Sequence, residues 1–295
     1  MSPVIAIAGG KGGTGKTTIA VNLADALHRR YRLLLVDADC SNPCTRTFFS
    51  AAKALWQKEI TLFKPQILEE RCHYKACKRC VELCPEHALL AQPNKPPALI
   101  EDLCNGCSVC QIVCNYGAIT EAQQVVGHLY FSEVDGNLHL LVSELTPGSR
   151  KNPIVVHHCM VEAERLSDHY DLTLVDCPAG TGIDLYLILR YATTAILVTE
   201  PTLLALSDLK KLSQLLLMAG GKPTILVVNK SGINPNLEKQ IVSEIEAHYV
   251  VKIPYDHRIF RQVSSGRLLT HLNSKYAQIF DKLAEIVVQL AHLRC

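Results

Sequence analysis

The chain has 295 residues with a formal net charge of +2; 48% of the residues are hydrophobic and 20% are charged. These values are ordinary for a globular protein and exclude a disordered chain, a collagen and a coiled coil. The near-neutral charge argues against nucleic acid as a partner, and no apolar run approaches the about 18–20 residues of a membrane span. The N-terminus lacks the basic region of a signal peptide, so we expect a cytoplasmic protein without a membrane partner.

The first predicted strand, residues 4–8, leads into a glycine-rich loop and then into a helix over residues 19–27. The loop has the P-loop pattern in the strand-to-helix context that this motif requires. Its glycines let backbone N–H groups turn toward phosphate oxygens, Lys16 reaches the β- and γ-phosphates, and the Thr17 hydroxyl holds Mg2+. The predicted nucleotide-binding residues of this loop are Gly10, Lys11, Gly12, Gly13, Thr14, Gly15, Lys16, Thr17 and Thr18.

A second lysine, Lys11, stands near the start of this loop. Such a loop resembles the deviant P-loop of the MinD, ParA and nitrogenase iron-protein ATPases. The resemblance implies that Lys11 reaches across a dimer interface and offsets charge on the partner's ATP, as an arginine finger does. It also implies Mg2+-dependent ATP hydrolysis by a homodimer, or a heterodimer with a paralogue, that forms on ATP binding.

The second predicted strand, residues 32–36, ends in Asp37-Ala38-Asp39. Each aspartate alone is typical of a turn, but behind this P-loop the pair indicates a site. In the family that the P-loop resembles, the first switch begins here. The resemblance implies that Asp39 orients the attacking water, as a third catalytic residue beside Lys11 and Lys16, and that Asp37 lies near Mg2+.

The unusual feature of the composition is the 13 cysteines, eight of which fall within residues 72–114. A disulfide framework suits small secreted domains, and zinc prefers two close pairs at a longer separation. Iron–sulfur clusters use the spacing C-x2-C-x2-C-x3-C. The second run fits that spacing throughout, and the first fits at its last three cysteines and the proline that follows. The runs are Cys72, Cys77, Cys80 and Cys84, and then Cys104, Cys107, Cys110 and Cys114.

The two runs also form an internal repeat, since Cys77 recurs 30 residues later as Cys107. The repeat resembles the bacterial two-cluster ferredoxin domain, in which the fourth cysteine of each run ligates the other cluster. Cys72 lies two residues earlier than the pattern requires, so a three-iron cluster or a non-cysteine ligand such as His73 stays open, as does zinc. The resemblance implies two [4Fe-4S] clusters, one on Cys72, Cys77, Cys80 and Cys114 and the other on Cys84, Cys104, Cys107 and Cys110.

After a predicted hairpin around Asp135-Gly136, a third strand over residues 172–175 ends in Asp176. The segment resembles the second switch of the same ATPases. This implies that Asp176 holds Mg2+ through water and that the Gly180 N–H senses the γ-phosphate. Later strands precede Asn229 and Pro254, which by resemblance contact the adenine base.

Strands continue to alternate with helices, which predicts a parallel sheet covered on both faces. The predicted strands are residues 195–199, 224–228 and 250–253, and the predicted helices are residues 153–168, 203–218, 236–248 and 274–293. The last helix is amphipathic but has few basic residues, so we predict that it docks on the sheet rather than on a membrane.

The remaining cysteines near the switches, Cys40, Cys44 and Cys177, are interpreted as small buried hydrophobic residues. The fold class follows as α/β: a doubly wound, mostly parallel P-loop NTPase sheet with an inserted small α+β ferredoxin-type 2[4Fe-4S] domain. We expect the ATPase domain at residues 1–60 and 128–295 and the inserted domain at residues 61–127.

Two functions fit this sequence. The first is an ATPase that couples nucleotide state to electron transfer, or to metallocluster assembly or delivery, with an unidentified redox protein or metalloprotein as partner; the insert close behind the first switch favours it. The alternative is a MinD/ParA-like ATPase switch for positioning or regulation, with structural or redox-sensing clusters. A synthetase like the cobyrinate amidotransferases would need a glutaminase domain, for which no length remains.

Overall fold

A computed structural model describes the backbone of residues 2–292 and the side chains of residues 2–291. The chain forms two compact units. Within the described part, the first unit holds residues 2–58, 129–144 and 152–292, and the second holds residues 59–128 and 145–151. The predicted domain boundaries at 60/61 and 127/128 stay a prediction.

A nine-stranded, mostly parallel sheet organises the first unit, in the order β11-β10-β9-β1-β8-β2-β7-β6-β3. The central strand β1 pairs in parallel with β8 and β9, and β2 pairs in parallel with β8 and β7. The central strands are buried along their length, as expected for parallel strands covered on both faces. The strands are β1 Val4–Ala8, β2 Leu33–Asp37, β3 Lys53–Ile67, β6 Ile119–Asp135, β7 Leu138–Leu145, β8 Leu172–Asp176, β9 Thr194–Thr199, β10 Thr224–Ser231 and β11 Tyr249–Pro254.

Helices alternate with these strands. On one face of the sheet, Leu23 of α1 and Phe280 and Leu283 of α9 pack in one core with Ile5 and Ile7 of β1. The intervening Ala6 points to the opposite face and is also fully buried. The prediction that the last helix docks on the sheet is therefore confirmed. The helices are α1 Lys16–Leu27, α4 Asn152–Leu166, α5 Ile183–Tyr191, α6 Leu203–Met218, α7 Pro235–Glu244, α8 His257–Ser264 and α9 Ser274–His292.

The end of the last helix was predicted at residue 293, which lies outside the described residues. Between residues 2 and 292, none of the helices combines the length and the apolar character that a membrane crossing requires.

The second unit is much smaller than the first. It contains two one-turn helices, α2 Arg79–Glu82 and α3 Val109–Ile112, and an antiparallel hairpin of β4 Leu89–Gln92 and β5 Lys95–Leu99. Its core is Leu89, Cys110 and Ile119, with Cys80 and Cys114 packed against it. The chain first enters this unit along β3 and leaves it along β6, and residues 145–151 belong to it again.

The sequence did not predict the length of β3 and β6. Most side chains in the first half of β3 are exposed, since β3 is the last strand of the sheet, so no alternation of apolar and polar residues marks it. Helix α7 was also predicted too long, because Ile245 adopts an extended conformation and ends it at Glu244.

Candidate functional site

The loop between β1 and α1 forms the centre of the candidate site. Gly15 begins α1 with a φ of +100°, in the left-handed region that favours glycine. A Cβ at this position would also collide with the side-chain amide of Asn229. Helix α1 therefore starts directly at the loop, and its first N–H groups form an anion-binding N-terminus.

The loop lysine Lys16 is only 7% exposed. Its Nζ donates to the carbonyl oxygen of Lys11 over 3.4 Å, and the Thr14 hydroxyl reaches the same oxygen over 3.4 Å. The Lys16 ammonium is thus bound by a carbonyl of the same loop. A phosphate group would replace the carbonyl as the partner of the ammonium.

Two buried carboxylates stand beside the loop, at the carboxyl ends of adjacent strands, where Asp37 and Asp176 are paired in register. Burial and then the Asp37 charge raise the pKa of Asp176 well above its ordinary value, while the nearby Thr17 hydroxyl and the Lys16 charge lower it. Oδ1 of Asp176 is buried and has no hydrogen-bond partner among the residues that the structure describes. A buried carboxylate oxygen of this kind, next to a threonine hydroxyl, fits a site for Mg2+ or its bound water.

The Asp37 carboxylate accepts hydrogen bonds from the loop that follows β2. Its Oδ2 accepts hydrogen bonds from the N–H groups of Cys44 and Thr45, and its Oδ1 accepts from the N–H of Asp39. Burial raises its pKa to about 6, although the Thr45 bonds oppose the shift. Asp37 therefore shapes the loop as well as lying beside Asp176.

Asp39 lies half-buried in this loop. Burial raises the pKa of its carboxyl, and the charge of Lys16 lowers it in turn. Asp39 is therefore within electrostatic reach of the loop lysine.

The three remaining predicted nucleotide contacts occupy different positions. The N–H of Gly180 donates to the carbonyl of Gly9 over 3.3 Å, so it would have to release this bond to contact a phosphate. Nδ2 of Asn229 donates to the carbonyl of Thr14 over 2.8 Å and so braces the loop. Asn229 and Pro254 both line a cavity of about 560 Å3 that also borders Gly13, Gly15 and Thr18. Its size suits a small-molecule ligand.

The sequence did not assign a role to Glu200 or Lys230, which the structure places at the loop. Glu200 follows β9 and forms ion pairs with Lys11 over 2.6 Å and with Lys230 over 2.5 Å. The available signal was that both residues follow apolar strand segments, at the sheet edge where such folds bind ligands.

In the second unit, the thiols of one predicted cluster converge. Cys84, Cys104, Cys107 and Cys110 all line one small cavity. Burial, with smaller contributions from the charges of Cys104 and Cys107, raises the pKa of Cys110 to about 11. Iron would displace the protons of such thiols on binding.

The other predicted ligand set also groups together. Burial raises the pKa of Cys80, and charges on Cys72, Cys114 and Cys77 add to the shift. His73, the alternative ligand, stacks its ring on Tyr116 with centroids 4.2 Å apart. The interrupted spacing at Cys72 therefore still brings its thiol into the group.

The two halves of the repeat hold their last cysteine in the same way. The N–H of Ala88 donates to Sγ of Cys84 and the N–H of Ala118 donates to Sγ of Cys114, both over 3.3 Å. Hydrogen bonds to sulfur are one of the protein's means of tuning iron–sulfur centres. Eight thiols in two groups are the number of ligands that two [4Fe-4S] clusters would require. Among the described residues, no three His, Cys, Asp or Glu side chains are arranged so that they could hold one metal ion.

The three cysteines beside the switches differ in their exposure. Cys40 and Cys177 are buried, as interpreted from the sequence, and burial raises the pKa of Cys40 to about 12. The interpretation is wrong for Cys44, which is exposed because the Asp37 carboxylate holds its backbone N–H and leaves its side chain at the surface.

The family model described as the CobQ/CobB/MinD/ParA nucleotide binding domain matches residues 5–269. An uncharacterized protein of Methanocaldococcus jannaschii is 30% identical over 92% of both chains, and a second one is 25% identical over 96% of this chain and 97% of the relative. Among solved structures, the septum site-determining protein MinD of Pyrococcus horikoshii, complexed with Mg-ADP, is 23% identical with a TM-score of 0.58, covering 100% of this chain and 99% of that one. This last similarity shows the fold alone.

Proposed function

Because the chain belongs to the CobQ/CobB/MinD/ParA nucleotide-binding family, with MinD- and ParA-like ATPases among its members, we propose that it is an ATPase switch that dimerises on ATP. The observation that carries the proposal is the buried Oδ1 of Asp176, for which the described part of the chain supplies no hydrogen-bond partner. It lies beside Thr17 and near the charge of Lys16, where a P-loop binds Mg2+ and phosphate.

In this proposal, each residue of the site has one task. Lys16 would leave the Lys11 carbonyl and bind the β- and γ-phosphates, while Thr17 and Asp176 would hold Mg2+. The metal would neutralise developing charge on the phosphate oxygens. Asp39 orients the attacking water, and Lys11 of one protomer meets the ATP of the other. Asn229 and Pro254 receive the base in the cavity.

We further propose that the second unit holds two [4Fe-4S] clusters. The support is the grouping of the eight thiols into the two sets expected from the repeat. When bound, such clusters supply one-electron chemistry. If the protein is an ATPase switch, these clusters stabilise the second unit or sense oxidants.

A second candidate function, coupling of ATP state to electron transfer, has a specific observation in its favour. Cys80 and Cys110 belong to different ligand sets, yet both pack in the core around Leu89, and the charge of Cys80 contributes to the shifted pKa of Cys110. Two clusters held this close could exchange electrons with each other and with a partner protein.

The test uses protein purified without oxygen. We expect ATP hydrolysis that stops with EDTA and falls by at least about 100-fold in Asp176→Asn, with Asp168→Asn as an exposed control that hydrolyses at the native rate. Activity unaffected by EDTA and by Asp176→Asn would refute the ATPase site. Electron paramagnetic resonance separates the two functions: a reversible low-potential signal that changes between ATP and ADP favours electron transfer, and clusters that cannot be reduced without unfolding favour the switch.

A further inference from the structure

The Glu200 carboxylate lies between two lysines of the nucleotide site. Its Oε1 is 2.6 Å from Nζ of Lys11, and its Oε2 is 2.5 Å from Nζ of Lys230. The Glu200 side chain is only 10% exposed, whereas Lys11 is 26% and Lys230 is 40% exposed. One largely buried carboxylate is therefore shared by two partly exposed cations.

This arrangement sets the charge of Glu200. Burial alone raises the pKa of its carboxyl, but hydrogen bonds and charges from the two lysines lower it more, so the net pKa lies below its ordinary value. Glu200 is consequently ionised at neutral pH. A Lys11 ammonium held by this carboxylate is not available to a phosphate group.

The presence of Lys230 changes the free energy needed to release Lys11 from Glu200. A buried carboxylate that loses its only cation is strongly destabilised. Here, departure of Lys11 leaves Glu200 still paired with Lys230. The ion pair with Lys230 therefore lowers the cost of freeing Lys11.

The backbone is shaped to bring Lys230 to this place. Lys230 has a φ of +54°, a conformation that lysine rarely adopts, and its N–H donates to Oδ1 of Asn229 over 2.9 Å. The register between β10 and β11 shifts between Val228 and Ser231. An irregularity of this kind re-aims a side chain at the end of a strand, here toward Glu200.

We propose that Glu200 is a positioning residue that stores Lys11 within its own protomer, and that Lys230 is the counter-cation that keeps Glu200 paired when Lys11 leaves. This rests on the proposed function, in which Lys11 serves the ATP of the partner protomer. The two residues then act in opposite directions. Removal of the Glu200 charge frees Lys11, whereas removal of the Lys230 charge binds Lys11 more tightly.

The first measurement needs neither nucleotide nor dimer. Acetylation of Lys11 by a water-soluble succinimidyl ester, followed by mass spectrometry, reports how firmly its amine is held. We expect Glu200→Gln to speed Lys11 labelling about threefold to tenfold and Lys230→Met to slow it. Lys239→Met is the matched control, an exposed lysine on α7 without an ion pair within residues 2–292, and it should leave the rate unchanged.

The second measurement is the ATP concentration that gives half-maximal dimer in light scattering. Glu200→Gln should lower it and Lys230→Met should raise it, each about threefold to tenfold, with Lys11→Ala abolishing the dimer. If Glu200 and Lys230 had only structural roles, both variants would be impaired in the same way. A change in the same direction in both variants, in the labelling rate and in the ATP concentration for dimerisation, would overturn the proposal. If labelling shifts as expected but the native protein stays monomeric with ATP, the storage of Lys11 stands and the proposed dimer fails. Unchanged labelling in Glu200→Gln refutes the storage even where the dimer forms.

Discussion

The Thr45 hydroxyl donates a 2.8 Å hydrogen bond to Oδ2 of Asp37, and both side chains are fully buried. The same oxygen also accepts from the N–H groups of Cys44 and Thr45. One carboxylate at the end of β2 thus ties back the whole loop that carries Asp39. A nucleotide-driven movement of this loop would have to break these bonds.

Replacement of Thr45 by valine should therefore weaken the anchor at nearly constant volume. Loss of one charge-assisted bond to a buried carboxylate is expected to lower the free energy of unfolding by about 1.5–3 kcal/mol, measured by urea titration. Thr47→Val is the matched control, since Thr47 is exposed and its hydroxyl donates only to the Cys44 carbonyl; its loss should stay within about 0.5 kcal/mol. Equal losses in the two variants would show that Thr45 does not carry the anchor.

The raised pKa of Asp37 predicts a pH dependence of stability in the metal-free protein. In the folded state this carboxyl titrates at about 6, against an ordinary value of 3.8, so the folded chain binds the proton more tightly. Its contribution to stability accordingly falls as the pH rises from about 4 to 6 and is constant above that. In urea titrations, the difference in free energy of unfolding between native protein and Asp37→Asn should fall by up to about 3 kcal/mol across this window. A difference that rises with pH would contradict the assignment.

The proposed ligand sets predict the iron content of single variants. Cys114→Ala should remove the cluster on Cys72, Cys77 and Cys80 and leave about four iron atoms per chain of about eight. Cys159→Ala, which removes a fully buried thiol outside both runs, should leave the iron content unchanged. Iron and acid-labile sulfide analysis after anaerobic purification measures both. Full iron retention in Cys114→Ala, or zinc in place of iron, would be incompatible with the assignment.

Asn229 is expected to contribute to nucleotide affinity in two ways, through its bond to the Thr14 carbonyl and as a wall of the cavity. Asn229→Ala should raise KM for ATP by about 5- to 30-fold, corresponding to about 1–2 kcal/mol. Asn236→Ala, an exposed asparagine on α7, serves as the control and should leave KM unchanged. An unchanged KM in Asn229→Ala would remove this residue from the nucleotide site.

The parts of the fold that sequence predicted well are those with strong local signals. The apolar run of residues 4–8 forms a buried strand, because a parallel strand covered on both faces needs no alternation of apolar and polar residues. The P-loop behind it leads into the start of a helix. The exposed half of β3 carries no such signal, because it is stabilised by pairing rather than by burial of one face. The Glu200–Lys11 contact was equally hidden: the two residues are far apart in the chain, and only the parallel pairing of β1 with β9 brings their loops together.

Anaerobic native mass spectrometry with Mg-ATP tests the central claim, an ATP-dependent switch that carries two clusters, in one measurement. We expect a species of two chains with two nucleotides and the mass of two [4Fe-4S] clusters on each chain, which reverts to single chains with ADP. A single chain at saturating ATP, or chains without the mass of iron and sulfide, would contradict it.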